Sequence, residues 1–120
     1  MFVKATRDCP PWTAHDGCEI REVFHPAHDS IELPYSLAVA TVAHGERTYR
    51  HRLQHDEVYY LLEGEGLMYV DAEAQLVSAG DAVLIPGGAE QSIENTGGGM
   101  LRFIALVSPP WTAAADARVE

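Results

Sequence analysis

Short runs of apolar residues recur along most of the chain, and each run ends at residues that favour turns. Residues 36–43 end at a His-Gly-Glu turn, and residues 58–62 end at a Glu-Gly-Glu-Gly turn. Further runs of this kind cover residues 67–70, 82–85, 91–94 and 100–107. No window of a dozen residues repeats apolar positions at helical steps of three and four, so long helices are not predicted. Six or more short strands at roughly 8- to 12-residue spacing are typical of an all-β sandwich or a closed antiparallel barrel.

The segments outside these runs are less regular. Residues 1–35 are rich in Pro, Asp and His, with one candidate strand at residues 19–24, and they are interpreted as an N-terminal arm that packs on the barrel. Residues 36–111 form the predicted barrel, and residues 112–120 are an Ala-rich, charged tail. A chain of 120 residues matches one domain, since domains typically contain about 100–150 residues.

Charge and composition exclude several classes of function. The 18 acidic residues outnumber the 8 Lys and Arg residues, which gives a net charge of -10 at pH 7. No basic run offers the stripe that neutralises phosphates, so nucleic acid and anionic membranes are not expected partners. The longest apolar runs are under half the roughly 20 residues that span a bilayer, and the first residues lack a secretory signal pattern. We therefore expect a cytoplasmic protein.

The densest chemistry lies in residues 49–60. Side chains alternate between the two faces of an extended strand. One face would therefore carry His51, Leu53, His55, Glu57 and Tyr59. Imidazole nitrogen together with carboxylate oxygen suits divalent Fe, Mn, Ni, Co or Zn. A solvated polar face is the alternative interpretation, and the spacing alone leaves both open.

A second candidate segment, residues 80–95, combines a turn, a buried strand, a Pro-Gly-Gly corner and another strand. Gln91 shares its strand face with Ile93, so if Ile93 points into the core, Gln91 does too. A buried amide needs hydrogen-bond partners. Gln91 therefore either bonds to backbone across the barrel or offers its oxygen to a metal or a substrate.

The two segments together resemble the two sequence motifs of the cupin superfamily, and with the flanking strands the resemblance covers residues 36–107. The first family motif is Gly-x5-His-x-His-x3or4-Glu-x6-Gly, and its places are taken here by Gly45, His51, Glu57 and Gly64. The second is Gly-x5-Pro-x-Gly-x2-His-x3-Asn, and its places are taken by Gly80, Pro86, Gly88 and Asn95. The resemblance implies an antiparallel jelly-roll β-barrel, a homodimer, and a divalent transition metal inside the barrel mouth.

Two residues depart from the family motifs. Leu53 stands at the place of the second histidine of the first motif, and Gln91 stands at the place of the histidine of the second. Carried over residue by residue, the resemblance makes His51 and Glu57 metal ligands. Gln91 can complete the set through its amide oxygen, and His55 can do so if a β-bulge brings it into the site.

The resemblance and these candidates imply a cupin that binds a divalent metal and a small organic substrate in its barrel. The implied reaction is that of an oxygenase, lyase, isomerase or cyclase, with Glu57 or Tyr59 moving a proton. The alternative is a barrel that has lost its metal with Leu53 and Gln91, and that only binds a small ligand such as a sugar or an apolar metabolite. The remaining histidines lie among turn residues and are expected at the solvent-exposed surface: His15, His25, His28 and His44.

Overall fold

In the computed structural model, which describes residues 1–14 and 16–120, the chain is built mainly of strands. The strands are β1 (Pro11–Thr13), β2 (Glu19–Phe24), β3 (Ser36–Val42), β4 (His51–Leu53), β5 (Asp56–Glu63), β6 (Glu65–Val70), β7 (Glu73–Ser78), β8 (Ala82–Ile85), β9 (Glu90–Asn95), β10 (Leu101–Ser108) and β11 (Asp116–Arg118). Helical structure in the described residues is confined to α1 (Pro26–Asp29) and the 3-10 turns Thr6–Asp8 and Ala113–Ala115. None of these helical segments is long and apolar enough to cross a membrane.

The strands form two antiparallel sheets that face each other. One sheet has the order β1-β2-β3-β10-β5-β8, and the other has the order β11-β4-β9-β6-β7. Successive strands cross between the sheets, as from β3 to β4 and from β8 to β9, which gives the jelly-roll arrangement. The predicted all-β, antiparallel jelly-roll fold is therefore confirmed, although the two sheets are not hydrogen-bonded into one closed cylinder.

The N-terminal arm and the C-terminal tail both contribute strands to these sheets. In the arm, β1 pairs with β2 and β2 pairs with β3, so the arm extends the six-stranded sheet. In the tail, β11 lies antiparallel to β4, with Arg118 opposite His51 and Asp116 opposite Leu53. The other neighbour of β4 is β9. This pairing places residues of the tail directly beside the histidine segment.

The core lies between the sheets and follows the period-two pattern of the strands. In β10, every second residue from Leu101 to Val107 is buried. Phe103 is 1% exposed, and burial of a side chain of this size contributes roughly 1.5–3 kcal/mol. In β5 the buried residues are Glu57, Tyr59 and Leu61. A strand that carries core residues thus also carries a buried carboxylate.

Asn95, the asparagine of the second motif, has a structural role at the end of β9. Its side chain is buried, and its Nδ2 donates to the carbonyl oxygens of Val42 at 3.0 Å and Gly99 at 2.8 Å. Its Oδ1 accepts from the backbone N–H of Gly97 at 3.0 Å. These hydrogen bonds hold the turn between β9 and β10 against β3.

Gly64, the last glycine of the first motif, connects β5 to β6 with a φ of 89°. A Cβ at this position would collide with the backbone carbonyl oxygen of Met100. We expect Gly64→Ala to lower the free energy of unfolding by at least roughly 1–2 kcal/mol, because the left-handed backbone alone carries that penalty for a residue with a Cβ. Urea unfolding followed by circular dichroism measures the loss.

Gly98→Ala is the matched control for this prediction, because a Cβ at Gly98 meets nothing within 4 Å. We expect the free energy of unfolding of this variant to be unchanged or slightly raised, since alanine reduces the entropy of the unfolded chain. Equal stability of the Gly64→Ala and Gly98→Ala variants would contradict a steric requirement for glycine at position 64.

Candidate metal and ligand site

A cavity of about 60 Å³ lies between the two sheets. Its walls are mostly apolar and include Ile20, Ala40 and Phe103. Trp12, which is 38% exposed, and Trp111 also line the cavity, and their ring centroids are 5.8 Å apart. One water molecule needs a cavity of roughly 10–15 Å³ when the volume is measured in the same way. The space therefore suits a molecule of a few heavy atoms.

One side of the cavity is polar and acidic. His51 from β4 and Glu57 and Tyr59 from β5 line it. Asp16, from the turn between β1 and β2, and Asp116, from β11, line it as well. No Lys or Arg is among the described residues that line this cavity. Three of the predicted site residues thus meet in one cavity, together with two carboxylates from distant parts of the chain.

The His51 imidazole lies between the two aspartates. Its Nδ1 is 2.8 Å from Asp116 Oδ1, while Asp116 Oδ2 accepts a hydrogen bond of 2.9 Å from Trp111 Nε1. Its Nε2 is buried without a hydrogen-bond partner and is 3.6 Å from Asp16 Oδ2. Burial lowers the pKa of His51, but the hydrogen bond to Asp116 and the nearby carboxylates outweigh burial and raise this pKa above its usual value. The contact with Asp116 fixes the ring orientation.

Glu57 is a buried carboxyl group with an unusual affinity for protons. Glu57 is 6% exposed, and its Oε1 has no hydrogen-bond partner. Burial raises the pKa of Glu57 to about 7, although the Gln91 amide and the charge of His51 oppose this rise. Neither Glu57 Oε1 nor Gln91 Nε2 has a hydrogen-bond partner, so the Gln91 amide acts on Glu57 as a nearby dipole. Glu57 can therefore exchange a proton near neutral pH.

Gln91 is held by Tyr59 rather than by backbone. The Tyr59 hydroxyl donates to Gln91 Oε1 at 2.9 Å, and both residues are buried. Burial raises the pKa of Tyr59 well above its usual value, and the Glu57 charge raises it further. Tyr59 therefore stays protonated. The amide oxygen, which was predicted to be available to a metal, thus already accepts one hydrogen bond, and its second lone pair remains.

Leu53 and His55 differ in their relation to the cavity. Leu53 is 1% exposed and lines the cavity at the place where the family motif has a histidine. His55 lies in the two-residue bend between β4 and β5, is half-buried, and is not among the residues that line the cavity. Its Nδ1 is buried without a hydrogen-bond partner. The bend interrupts the strict alternation from which His55 was expected to share the face of His51 and Glu57.

Neither Asp16 nor Asp116 was predicted from the sequence to be a site residue. Asp116 follows His51 by 65 residues, and it reaches the imidazole only because β11 pairs with β4. Asp16 belongs to the arm, which pairs with the opposite sheet. No motif or spacing in the sequence links either residue to the histidine segment, since only long-range strand pairing brings them together.

A second group of potential metal ligands comes from β2 and the start of α1, and one of its members, Glu22, also lines the cavity. Among the described residues, Glu22, His25 and His28 have ligand atoms that all lie within 4.8 Å of one another, and they could hold a metal ion. His28 Nδ1 is 2.6 Å from Glu22 Oε1. His25 Nε2 is 2.8 Å from the Trp111 carbonyl oxygen, and its Nδ1 accepts from the N–H of Ala27 at 3.1 Å. A metal ion bound to His25 would therefore replace one of these hydrogen bonds.

The histidines expected at the surface have different environments. His28 and His44 are exposed, as predicted. His25 is 6% exposed, so its predicted exposure is wrong. The reason is that His25 caps α1 and contacts Trp111 in the tail, which the local sequence does not reveal. His15 lies outside the described residues.

Comparison with known proteins agrees with this architecture. A family model described as a cupin domain matches residues 38–107, more than half of the chain. The chain belongs to the cupin family. This cupin is 38% identical over 104 residues to an uncharacterised protein of Methanocaldococcus jannaschii, which covers 85% of this chain and 82% of the relative. The resemblance drawn from the sequence motifs is therefore confirmed.

Two solved structures share the fold of this cupin. One is described as a predicted oxalate decarboxylase from Thermotoga maritima, with a TM-score of 0.77 and 23% identity over 90% of this chain and 99% of that chain. The other is the polyketide cyclase RemF from Streptomyces resistomycificus, with a TM-score of 0.82 and 17% identity over 100% of this chain and 86% of that chain. At these identities the likeness shows the fold alone.

Proposed function

We propose that this cupin is a metal-dependent enzyme that acts on a small organic substrate in its cavity, as an oxygenase, lyase, isomerase or cyclase. The observation that carries the proposal is a pair of buried polar atoms without hydrogen-bond partners, His51 Nε2 and Glu57 Oε1, on two residues that line one cavity. Such atoms are costly unless a ligand or a metal satisfies them. The small volume of the cavity supports a small substrate.

The donor set is compatible with a divalent transition metal. His51 presents Nε2 as a free donor, because its Nδ1 is bonded to Asp116. A carboxylate that orients a ligating imidazole in this way is common in metal sites. Fe, Mn, Ni, Co and Zn all accept nitrogen and carboxylate ligands. A bound metal would polarise a carbonyl oxygen or lower the pKa of a water.

Among the predicted catalytic residues, Glu57 is the one suited to move a proton. In the absence of a metal its pKa is about 7, which suits a group that accepts and releases a proton near neutral pH. Tyr59 was predicted to share this role, but its hydroxyl donates to Gln91 and stays protonated. We therefore assign the proton transfer to Glu57. We assign to Tyr59 the role of holding the Gln91 amide close to Glu57.

The charge of the cavity bears on the substrate class. Four carboxyl groups, from Asp16, Glu22, Glu57 and Asp116, line the cavity together with one imidazole, with no Lys or Arg among the described lining residues. A small dianion such as oxalate, which the fold neighbour's description suggests, would be repelled here unless a metal neutralised the site. Without such a metal, a neutral or monoanionic substrate is more compatible with these charges.

A non-catalytic ligand-binding barrel is the second candidate function. Leu53 in the cavity wall favours it, because this apolar side chain replaces a family ligand. The two tryptophans that line the cavity also suit a simple binding pocket for a small apolar metabolite, whereas a whole sugar exceeds the space of a few heavy atoms. In this case the protein would bind its ligand without a metal.

Metal content decides between the two candidates. We expect elemental analysis of the purified protein to find about one equivalent of a divalent transition metal, which His51→Ala removes, because His51 is the nitrogen donor in the cavity. The matched control is His28→Ala, which deletes the exposed histidine of the Glu22, His25 and His28 group and does not itself line the cavity. Loss of metal in the His28→Ala variant alone would move the site to Glu22, His25 and His28. A metal-free parent that also fails to bind added Mn, Co, Ni or Zn would favour the non-catalytic barrel.

A further inference from the structure

We propose that Asp16, from the N-terminal arm, is a metal ligand in the barrel and takes the place left vacant by the family histidine that is Leu53 here. This inference rests on the proposed function, since it requires a metal in the cavity. It adds a ligand that lies outside both sequence motifs, on a segment that precedes the first motif glycine, Gly45.

The distance between Asp16 and His51 is suitable for a shared metal ion. Asp16 Oδ2 is 3.6 Å from His51 Nε2, and both side chains are at least nine-tenths buried. Two ligand atoms that each lie about 2.1 Å from a tetrahedral ion are roughly 3.4 Å from each other. His51 Nε2 has no hydrogen-bond partner, so it can bind an ion once it has released its proton. An ion would thus fit between these two atoms with only a small adjustment.

Neighbouring groups fix the Asp16 carboxylate in this position. Its Oδ1 accepts from the Cys18 backbone N–H at 3.1 Å and from the Cys18 thiol at 2.8 Å. Its carbonyl oxygen accepts from the N–H of Tyr49 at 2.9 Å, which ties the turn to the segment that leads into β4. One carboxylate oxygen is therefore held by Cys18, while the other faces His51. This division is expected of a ligand whose orientation is set by its surroundings.

The local charge favours a cation between Asp16 and His51. Asp16, Asp116 and Glu57 all line the cavity, and His51 is the one group among the described lining residues that can carry a positive charge. Buried carboxylates that outnumber their cations are costly, and a divalent ion would offset that cost. Neither carboxylate oxygen of Glu57 lies within 4.8 Å of both Asp16 Oδ2 and His51 Nε2. We therefore place Asp16 and His51 as the first two ligands, with Glu57 reaching the ion after a side-chain movement or through a water.

The alternative explanation is that Asp16 forms only an ion pair with a protonated His51. The two explanations predict different responses to Asp16→Asn, which keeps the shape of the side chain and an oxygen acceptor for Cys18. A ligand role predicts that metal affinity falls strongly. A simple ion pair predicts that metal affinity is unchanged or rises, because the neutral amide no longer holds a proton on His51.

The test is a titration of the full chain, stripped of metal, with Co(II), followed by calorimetry and by visible absorption. We expect Asp16→Asn to lower Co(II) affinity by more than the roughly 10- to 100-fold that loss of an outer-sphere partner costs. We also expect a changed Co(II) absorption spectrum at saturation. The matched control is Asp56→Asn, whose exposed carboxylate accepts from the Gly87 backbone N–H outside the cavity and which should bind as the parent does.

The outcomes separate the two proposals. A parent that binds no Co(II) would overturn the metal-dependent function and the role of Asp16 together. A parent that binds Co(II) while Asp16→Asn binds it equally well, with the same spectrum, would overturn only the role of Asp16. If Asp16→Asn does not fold, as judged by circular dichroism, Asp16→Glu replaces it. That variant keeps the carboxylate but displaces it, so an unchanged affinity and spectrum would also overturn the role of Asp16.

Discussion

In metal-free protein, Glu57→Gln is expected to raise the free energy of unfolding at pH 8 by about 3 kcal/mol, because one pKa unit corresponds to about 1.4 kcal/mol. The pKa of Glu57 is about 7 in the folded protein, against 4.5 for an ordinary glutamate. Between these two values the folded state binds more protons than the unfolded state. The stability of the parent therefore falls as the pH rises through this window, and the full penalty is present above pH 7. The uncharged glutamine avoids this penalty.

Urea unfolding of both proteins at pH 5 and pH 8, in the presence of a chelator, measures this effect. The parent should lose stability between the two pH values more steeply than the Glu57→Gln variant. Glu73→Gln, at an exposed position in β7, is the control and should follow the parent. Parallel pH dependence of the parent and Glu57→Gln would contradict a buried, proton-binding Glu57.

Added metal should reverse the order of stability if the proposed function is correct. A metal bound only to the folded state stabilises it by mass action. The parent, with an ionised Glu57, should gain stability on addition of metal. Glu57→Gln should gain less, because the amide is a weaker ligand than a carboxylate.

The double variant Leu53→His and Gln91→His is expected to bind Zn, Ni or Co more tightly than the parent. Leu53 lines the cavity, and Gln91 lies directly opposite His51 in the pairing of β4 with β9. Two imidazoles at these positions would restore the family ligand set. We expect a gain of more than roughly 10- to 100-fold, since outer-sphere changes alone produce effects of that size. The gain should be larger at pH 8 than at pH 6, where protons compete for imidazole.

The same substitutions carry a cost in the absence of metal. A histidine in place of the buried Leu53 must be desolvated, which costs roughly 1–3 kcal/mol when no hydrogen bond compensates. Replacement of Gln91 also removes the acceptor of the Tyr59 hydroxyl. Calorimetric titrations at the two pH values, with melting curves in chelator, measure the gain and the cost. Equal or weaker metal affinity would mean that these two positions do not surround the metal.

The double variant also provides a further check on Asp16. With two more imidazole ligands present, loss of the Asp16 carboxylate should matter less. Asp16→Asn is therefore expected to reduce metal affinity by a smaller factor in the double variant than in the parent. The same reduction in both backgrounds would indicate that Asp16 acts on the fold of the arm instead of on the metal.

Local sequence patterns were sufficient to predict most of the strands. The apolar runs correspond to β3, β5, β6, β8, β9 and β10, because each of these strands alternates buried with exposed residues or is bounded by turn residues. β7 was missed. Of its six residues only Val77 is buried, since β7 is an edge strand, and the sequence therefore lacks a clear alternation there.

From the sequence by itself, strand periodicity determined an all-β fold. The resemblance of its two motifs to those of cupins implied the jelly roll and selected His51, Glu57 and Gln91 as site residues. Strand periodicity and the motif glycines are local properties, so they can be read without the tertiary structure. The tertiary structure alone decided that Asp16 and Asp116 flank His51 and that the Tyr59 hydroxyl donates to the amide oxygen of Gln91. These contacts depend on which strands become neighbours and on the rotamers that packing selects. Both are set by long-range pairing, which leaves no periodic signal along the chain.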